Sequence, residues 1–338
     1  MSKELREKIP VINFMMMFEV MLYHCLQADN DLAVSAADLW WNQLYTKIIM
    51  GPLSSLCMST FFAITGFLLF YNLSFQNLGK KLKSRVWTLL IPYILWQIIY
   101  IVKSMLQGNS WTLGEMFAQT FLLRLWPPLG AFWYVYTVFL FALFSPVFLM
   151  LFRNEKIGWL STVVLIILLY VFWNSLYIGN GKQHYTGNIK SFFPAYLIGA
   201  FYGHIYDEST IFQKLKYLVG YLLIAVLFDE VIGSLFSRMA ISVLPMFVLF
   251  LLPVPEWTKN RNIYRLSFLI YATHQSIISL ALVWIRPHIL DIIPYISVAN
   301  ILWFTICIVI IIAVNAVIHA VMNRFTPRTL RLLTGGRC

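Results

Sequence analysis

The chain has 338 residues, of which 60% are hydrophobic and only 12% charged, with a mean hydropathy of +0.75. That much apolar surface exceeds what a soluble domain of this size can bury, which excludes an ordinary water-soluble enzyme and makes hydrocarbon the natural solvent. The net charge of +11 would suit a nucleic-acid partner, but the distribution of the cations assigns them to membrane faces instead.

Apolar runs of about the length that crosses a bilayer core lie near 9–27, 51–73, 86–106, 131–152, 157–176, 192–206, 217–235, 239–253, 266–285 and 296–322. Unpaired backbone amides are too costly in lipid for open strands. The expected fold is therefore all-α, a polytopic membrane helix bundle of about ten transmembrane helices. No polar stretch is long enough for a soluble domain, so residues 1–338 are expected to form one membrane domain with its core at about 9–322. Any soluble partner would be a separate chain.

The first segment carries two ionisable groups, Glu19 and His24, and each is a functional candidate because charge inside a membrane is expensive. Asn13 lies eleven residues before His24. Eleven steps of about 100° return to within roughly 20° of the same face, so Asn13 and His24 share a stripe about 16 Å long. Glu19 points about 140° away from His24 on that wheel. A histidine near neutrality can take a proton from a hydroxyl and later release it. The alternative is an interfacial ring bonded to a neighbouring helix, and for Glu19 a structural carboxyl. A Val34-Ser35-Ala36 triplet would suit signal cleavage, but the apolar run exceeds the usual signal core of about 7–15 residues, so a retained first helix is expected.

The second segment contains FFAITGFLLF, where Thr65-Gly66 offers either a hydroxyl beside a close backbone approach or a packing notch. The loop that follows, GKKLKSR, places Lys80, Lys81, Lys83 and Arg85 together. Such a cluster suits phosphates of coenzyme A, and it equally suits topology anchoring. Pro92 is expected to kink the third helix. The stretch 112–126, with Glu115 and Arg124, reads as a re-entrant or interfacial helix on the outer side. Trp133, Tyr134 and Tyr136 open the fourth segment, as an interfacial belt or as a stacking platform for a sugar acceptor. Late in the chain, RLSFLIYATHQSII puts His274 at mid-membrane depth, where an imidazole needs a partner or a cavity.

His184, His204, His288 and His319 show no ligand spacing, and no metal is expected. Cys25, Cys57, Cys307 and Cys338 are unpaired in pattern. No phosphate loop, dinucleotide fingerprint or Ser-His-Asp order is present. With the N-terminus inside, inner loops hold 18 of the 25 Lys and Arg residues and outer loops hold 7. The excess of inner cations predicts both termini in the cytoplasm, and it accounts for the charge with no nucleic acid.

Taken in order, these motifs resemble those of the acyltransferase-3 family, bacterial integral-membrane O-acyltransferases of envelope glycans, across about residues 9–322. His24 in VINFMMMFEVMLYHC corresponds to the family histidine that is separated by ten residues from an arginine before it. FFAITGFLL corresponds to FFxxSGFLL, with Thr65 at the serine. KKLKSRVWTLLIPY corresponds to the basic run before Pro-Tyr, Trp133 through Pro146 to the tryptophan pattern, and Ser267, Ile270, Tyr271 and His274 to the late histidine pattern.

The resemblance implies that His24 is the general base, with Asn13 and Glu19 beside it in the catalytic helix. It implies acyl-CoA, acetyl-CoA by family default, as the cytoplasmic donor, held by Lys81, Lys83, Arg85, Thr65 and Gly66. An envelope polysaccharide or lipid-linked glycan would be the acceptor, met by Trp133, Tyr136 and His274. It also implies a bacterial cytoplasmic membrane location. The chain departs from the family pattern at Asn13, where an arginine is usual, and at Thr88, where the second arginine of the basic run falls. A glycan or glycolipid exporter without acyl transfer is the alternative reading.

Overall fold

The computed structural model describes residues 1–27, 48, 51–121, 127–172, 184–259, 261–293 and 295–337. The triplet 34–36, the outer-side cations Lys47, Arg124 and Lys182, and Cys338 lie outside the described residues. Among the described residues the elements are helices, with no strand. In chain order they are α1 (Lys3–Gln27), α2 (Ser54–Phe70), α3 (Leu78–Arg85), α4 (Ile91–Leu106), α5 (Leu113–Phe121), α6 (Trp133–Leu143), α7 (Ser145–Leu151) and α8 (Glu155–Phe172). They continue with α9 (His184–Ile205), α10 (Ile211–Lys214), α11 (Lys216–Ile232), α12 (Leu235–Leu251), α13 (Ser267–Trp284), α14 (Arg286–Ile292), α15 (Ile296–Phe325) and α16 (Pro327–Thr334).

Six stretches are long and apolar enough to cross a bilayer: Gly51–Phe70, Leu78–Leu106, Glu155–Phe172, Ile211–Glu230, Asn262–Trp284 and Val298–Phe325. A seventh forms if Gly130–Leu143 and Ser145–Leu151, bent by 52°, count as one span. The expected first, sixth and eighth segments fall on α1, α9 and the 17-residue apolar α12. The chain is thus a multi-pass membrane protein.

Two prolines are accommodated differently. The fourth segment is a bent pair, broken next to Pro146, whose ring and missing N–H disrupt the helical ladder. Before Pro92, where a kink is expected, a π-turn over Val86–Leu90 leads into α4 with no break in the helix. The wider turn removes the bond that the proline nitrogen cannot make, so Leu78–Leu106 passes as one 29-residue span.

Helix ends follow side-chain chemistry. The Ser2 hydroxyl accepts the Leu5 N–H at 3.2 Å and starts α1. At α5, Thr112 Oγ1 accepts the Glu115 N–H at 3.2 Å while Glu115 Oε2 accepts the Thr112 N–H at 2.9 Å. This reciprocal capping box holds the Glu115 carboxyl below the ordinary carboxylate range. It also stabilises the short helix expected to lie at the outer interface, whose last residues 122–126 are outside the described set.

The described chain forms two compact units, Met1–Arg6 with Ser59–Pro253, and Glu7–Met58 with Val254–Cys338. In the first, α2 and α9 approach backbone to backbone. A side-chain carbon on Gly66, Gly199 or Gly203 would fall 2.4, 2.0 or 2.3 Å from the carbonyl oxygens of Tyr196, Ala63 or Phe67. Only glycine permits that approach. In the second unit, α13 is bonded to α15 by Thr273 Oγ1 donating to Asn315 Oδ1 at 3.0 Å. Trp303 of α15 donates to the Cys25 carbonyl of α1 at 3.2 Å.

Candidate functional site

Within the second unit, α1 and α13 bring His24 and His274 together, with ring centroids 4.9 Å apart and planes tilted by 44°. Tyr23 meets His24 edge-on at 5.1 Å. His274 is fully buried. Its Nδ1 lies 3.1 Å from the Ile270 carbonyl and 2.8 Å from the Tyr271 carbonyl. Carbonyls only accept, which places the proton on Nδ1 and leaves Nε2 as a bare acceptor. That Nε2 is enclosed and has no hydrogen-bond partner. A buried acceptor left unmatched costs free energy, so a donor entering this space is drawn to it.

Two further acceptors on α1 share that condition. Glu19 is buried and its Oε1 has no partner, as is true of Asn13 Oδ1. The Cys57 thiol stands beside the Glu19 carboxyl and donates to the Met16 carbonyl at 3.1 Å. This unit thus holds three buried side-chain polar atoms, His274 Nε2, Glu19 Oε1 and Asn13 Oδ1, without a partner in the fold.

The first unit holds the other expected residues. The basic run divides by direction. The Lys81 ammonium donates to the Leu69 carbonyl at 3.0 Å and to the Tyr71 carbonyl, capping the C-terminal end of α2. Lys80 and Lys83 are exposed. Arg85 turns inward, beside the Tyr134 and Tyr196 hydroxyls. Tyr134 donates to the Phe61 carbonyl at 3.1 Å and lies 2.7 Å from Thr65 Oγ1. With its one proton given to Phe61, the phenol accepts from Thr65, so the Thr65 hydrogen is committed within the fold. Gly66 serves the α2–α9 approach described above.

Of the aromatic pair, Trp133 is enclosed and Tyr136 is partly exposed. Trp133 is 9% exposed and lies against Phe62 and Phe192 at 5.8 and 5.9 Å. Tyr136 stacks on Tyr93 at 5.0 Å and donates to the Phe121 carbonyl at 3.0 Å.

Sequence reasoning passed over three residues. Cys57 appeared only as an unpaired thiol, although a thiol beside a membrane carboxyl is a recognisable donor. Tyr196 carries no motif, yet its buried hydroxyl has no partner and faces the Arg85 charge. Arg286 was counted as an outer loop cation, but it is 4% exposed, donates to Asn300 Oδ1 at 2.7 Å and stands 5.9 Å from the Trp303 ring. Among the described residues no group of three His, Cys, Asp or Glu side chains is placed to hold a metal.

The profile of one protein family, described as an acyltransferase domain, matches residues 11–320 of the chain. Neither the curated proteins nor the solved structures contain a match.

Proposed function

The chain belongs to the acyltransferase-3 family, and from that premise we propose that it moves an acyl group, acetyl in the first instance, from cytoplasmic acyl-CoA to a hydroxyl of a cell-envelope glycan or glycolipid. In this reading residues 1–338 act as one domain of ten spans, core about 9–322, in a bacterial cytoplasmic membrane with both termini inside. The match over 11–320 and the inner excess of cations support it.

The observation that carries the reading is the His24–His274 pair. His24 would take the proton of the acceptor hydroxyl as its oxygen attacks the thioester carbonyl. The tetrahedral centre would collapse with loss of the coenzyme A thiolate, which takes that proton back from the imidazolium. His274, with its tautomer set by two carbonyls, would orient the partner ring or the hydroxyl through its bare Nε2. Glu19 and Asn13 would complete the polar wall. Arg85 and Lys83 would bind donor phosphates, while Lys81, Thr65 and Gly66 support that helix pair from within the fold. Trp133 and Tyr136 would shape the acceptor side through the wall they build.

The test is transfer of label from radiolabelled acetyl-CoA by purified protein in nanodiscs, wild type beside His24→Ala. Loss of at least about a hundredfold is expected for removal of a general base. Full turnover in the variant would remove His24 from the chemistry. The second reading, export without acylation, is favoured by Asn13, whose neutral amide cannot hold an anion as a guanidinium does. Cells that lose surface glycan while its acylation persists would support export.

A further inference from the structure

The first unit carries a second polar cluster that the proposed reaction does not use. The C-terminal end of α8 and the N-terminal ends of α9 and α12 bring Tyr170, Lys190 and Arg238 together. Lys190 Nζ lies 5.1 Å from the centre of the Tyr170 ring, and the Arg238 guanidinium carbon lies 5.8 Å from it. Tyr170 is only 7% exposed, and its enclosed hydroxyl lies beside the Arg238 guanidinium.

No described carboxylate pairs with either cation. Arg238 Nε donates to Ser234 Oγ at 3.2 Å, and Asp229 accepts the Phe236 N–H at 2.7 Å. Desolvation and the Arg238 charge hold the Lys190 ammonium below its ordinary value. Two like charges over one ring, with no counter-ion among the described residues, repel each other and are retained at a cost. An ammonium, a guanidinium and a phenol O–H supply donors and positive charge. What completes such a group is an oxyanion.

The flank of the cluster identifies the source of that anion. Val171, Phe172 and Phe236 are 51%, 51% and 43% exposed. In a membrane protein such residues at the end of a helix face acyl chains, and cations beside them sit at headgroup depth. We propose that Lys190, Arg238 and Tyr170 bind the phosphate of an anionic phospholipid headgroup, with its acyl chains along Val171, Phe172 and Phe236.

The test uses the full chain, purified and delipidated in detergent, with thermal unfolding followed during titration with phosphatidylglycerol, phosphatidylcholine or inorganic phosphate. Phosphatidylglycerol is expected to raise the Tm, and the other two are expected to do so far less. Lys190→Gln with Arg238→Gln should weaken the phosphatidylglycerol response by at least tenfold in midpoint concentration, and Tyr170→Phe by about tenfold, the scale of one charge-assisted hydrogen bond. An undiminished response in these variants overturns the site. Phosphatidylcholine acting as well as phosphatidylglycerol overturns the anionic-lipid assignment, and inorganic phosphate reproducing the effect overturns the lipid source. If the double variant fails to fold, Tyr170→Phe, which preserves the ring, decides alone.

Discussion

Alanine at Gly199 would place its Cβ 2.0 Å from the Ala63 carbonyl oxygen, and at Gly66 2.4 Å from that of Tyr196. Carbon and oxygen settle at about 3.3 Å or more, so α2 and α9 must part by roughly 1 Å in either variant. The obstructing atoms are backbone, with no flexible side chain to yield. Overpacking a closed interface costs roughly 1–3 kcal/mol, occasionally more. At about 2–4 °C per kcal/mol for a chain near this size, the Tm should fall by about 5 °C, with Gly199→Ala the worse. Gly79 in α3 has nothing within 4 Å of the same position. Gly79→Ala is the control, expected to leave the Tm unchanged or to raise it through helix propensity. The assay is fluorescence-detected unfolding of purified variants in one detergent, alongside label transfer. An unchanged Tm for Gly199→Ala would refute the backbone approach. A Gly66→Ala variant that keeps its Tm but loses acyl-CoA binding would return Gly66 to the donor site.

Two other substitutions separate roles. His274→Phe keeps an aromatic ring, somewhat larger than imidazole, but removes both ring nitrogens, and should lower kcat roughly 10–100-fold with the KM for acyl-CoA unchanged; an unchanged kcat would make His274 a packing residue. Arg85→Gln should raise the KM for acyl-CoA about tenfold with kcat retained, the loss expected for charge-assisted bonds to phosphate. An unchanged KM would confine Arg85 to its contacts with Tyr134 and Tyr196.

Apolar run length was enough to place most of the fold, because a bilayer imposes length and helicity together. What it missed lies in the backbone within the runs. A window average registers neither the 52° bend beside Pro146 nor the π-turn before Pro92. Both prolines look alike in sequence. The difference is that Val86–Leu90 widens the turn that would clash, while Ser145–Leu151 starts afresh. The glycine contacts were half readable. Gly199 and Gly203 are four residues apart and so lie on one face, but their partners Ala63 and Phe67 are set by tertiary packing.

The candidate site shows the same boundary more sharply. The helical wheel placed Asn13 and His24 on one stripe, but the partner that gives His24 meaning lies 250 residues away, and only its own motif marked it. The basic run was more readable than its composition suggests. Lys81 and Arg85 are four residues apart, hence within about 40° on the wheel, and Lys83 falls about 160° from each. That geometry alone sorts an inward pair from an outward cation, and the structure follows it: Lys83 is exposed while Lys81 and Arg85 turn in. The wheel cannot divide the inward pair. A lysine one turn from the frayed carbonyls of α2 becomes a cap. The arginine one turn deeper meets two phenols instead, and a phenol that accepts or donates weakly leaves a guanidinium with donors to spare. In the proposed reading Arg85 is the residue that meets phosphate, and what separates it from Lys81 is its place beside Tyr134 and Tyr196, which the fold sets and the motif does not.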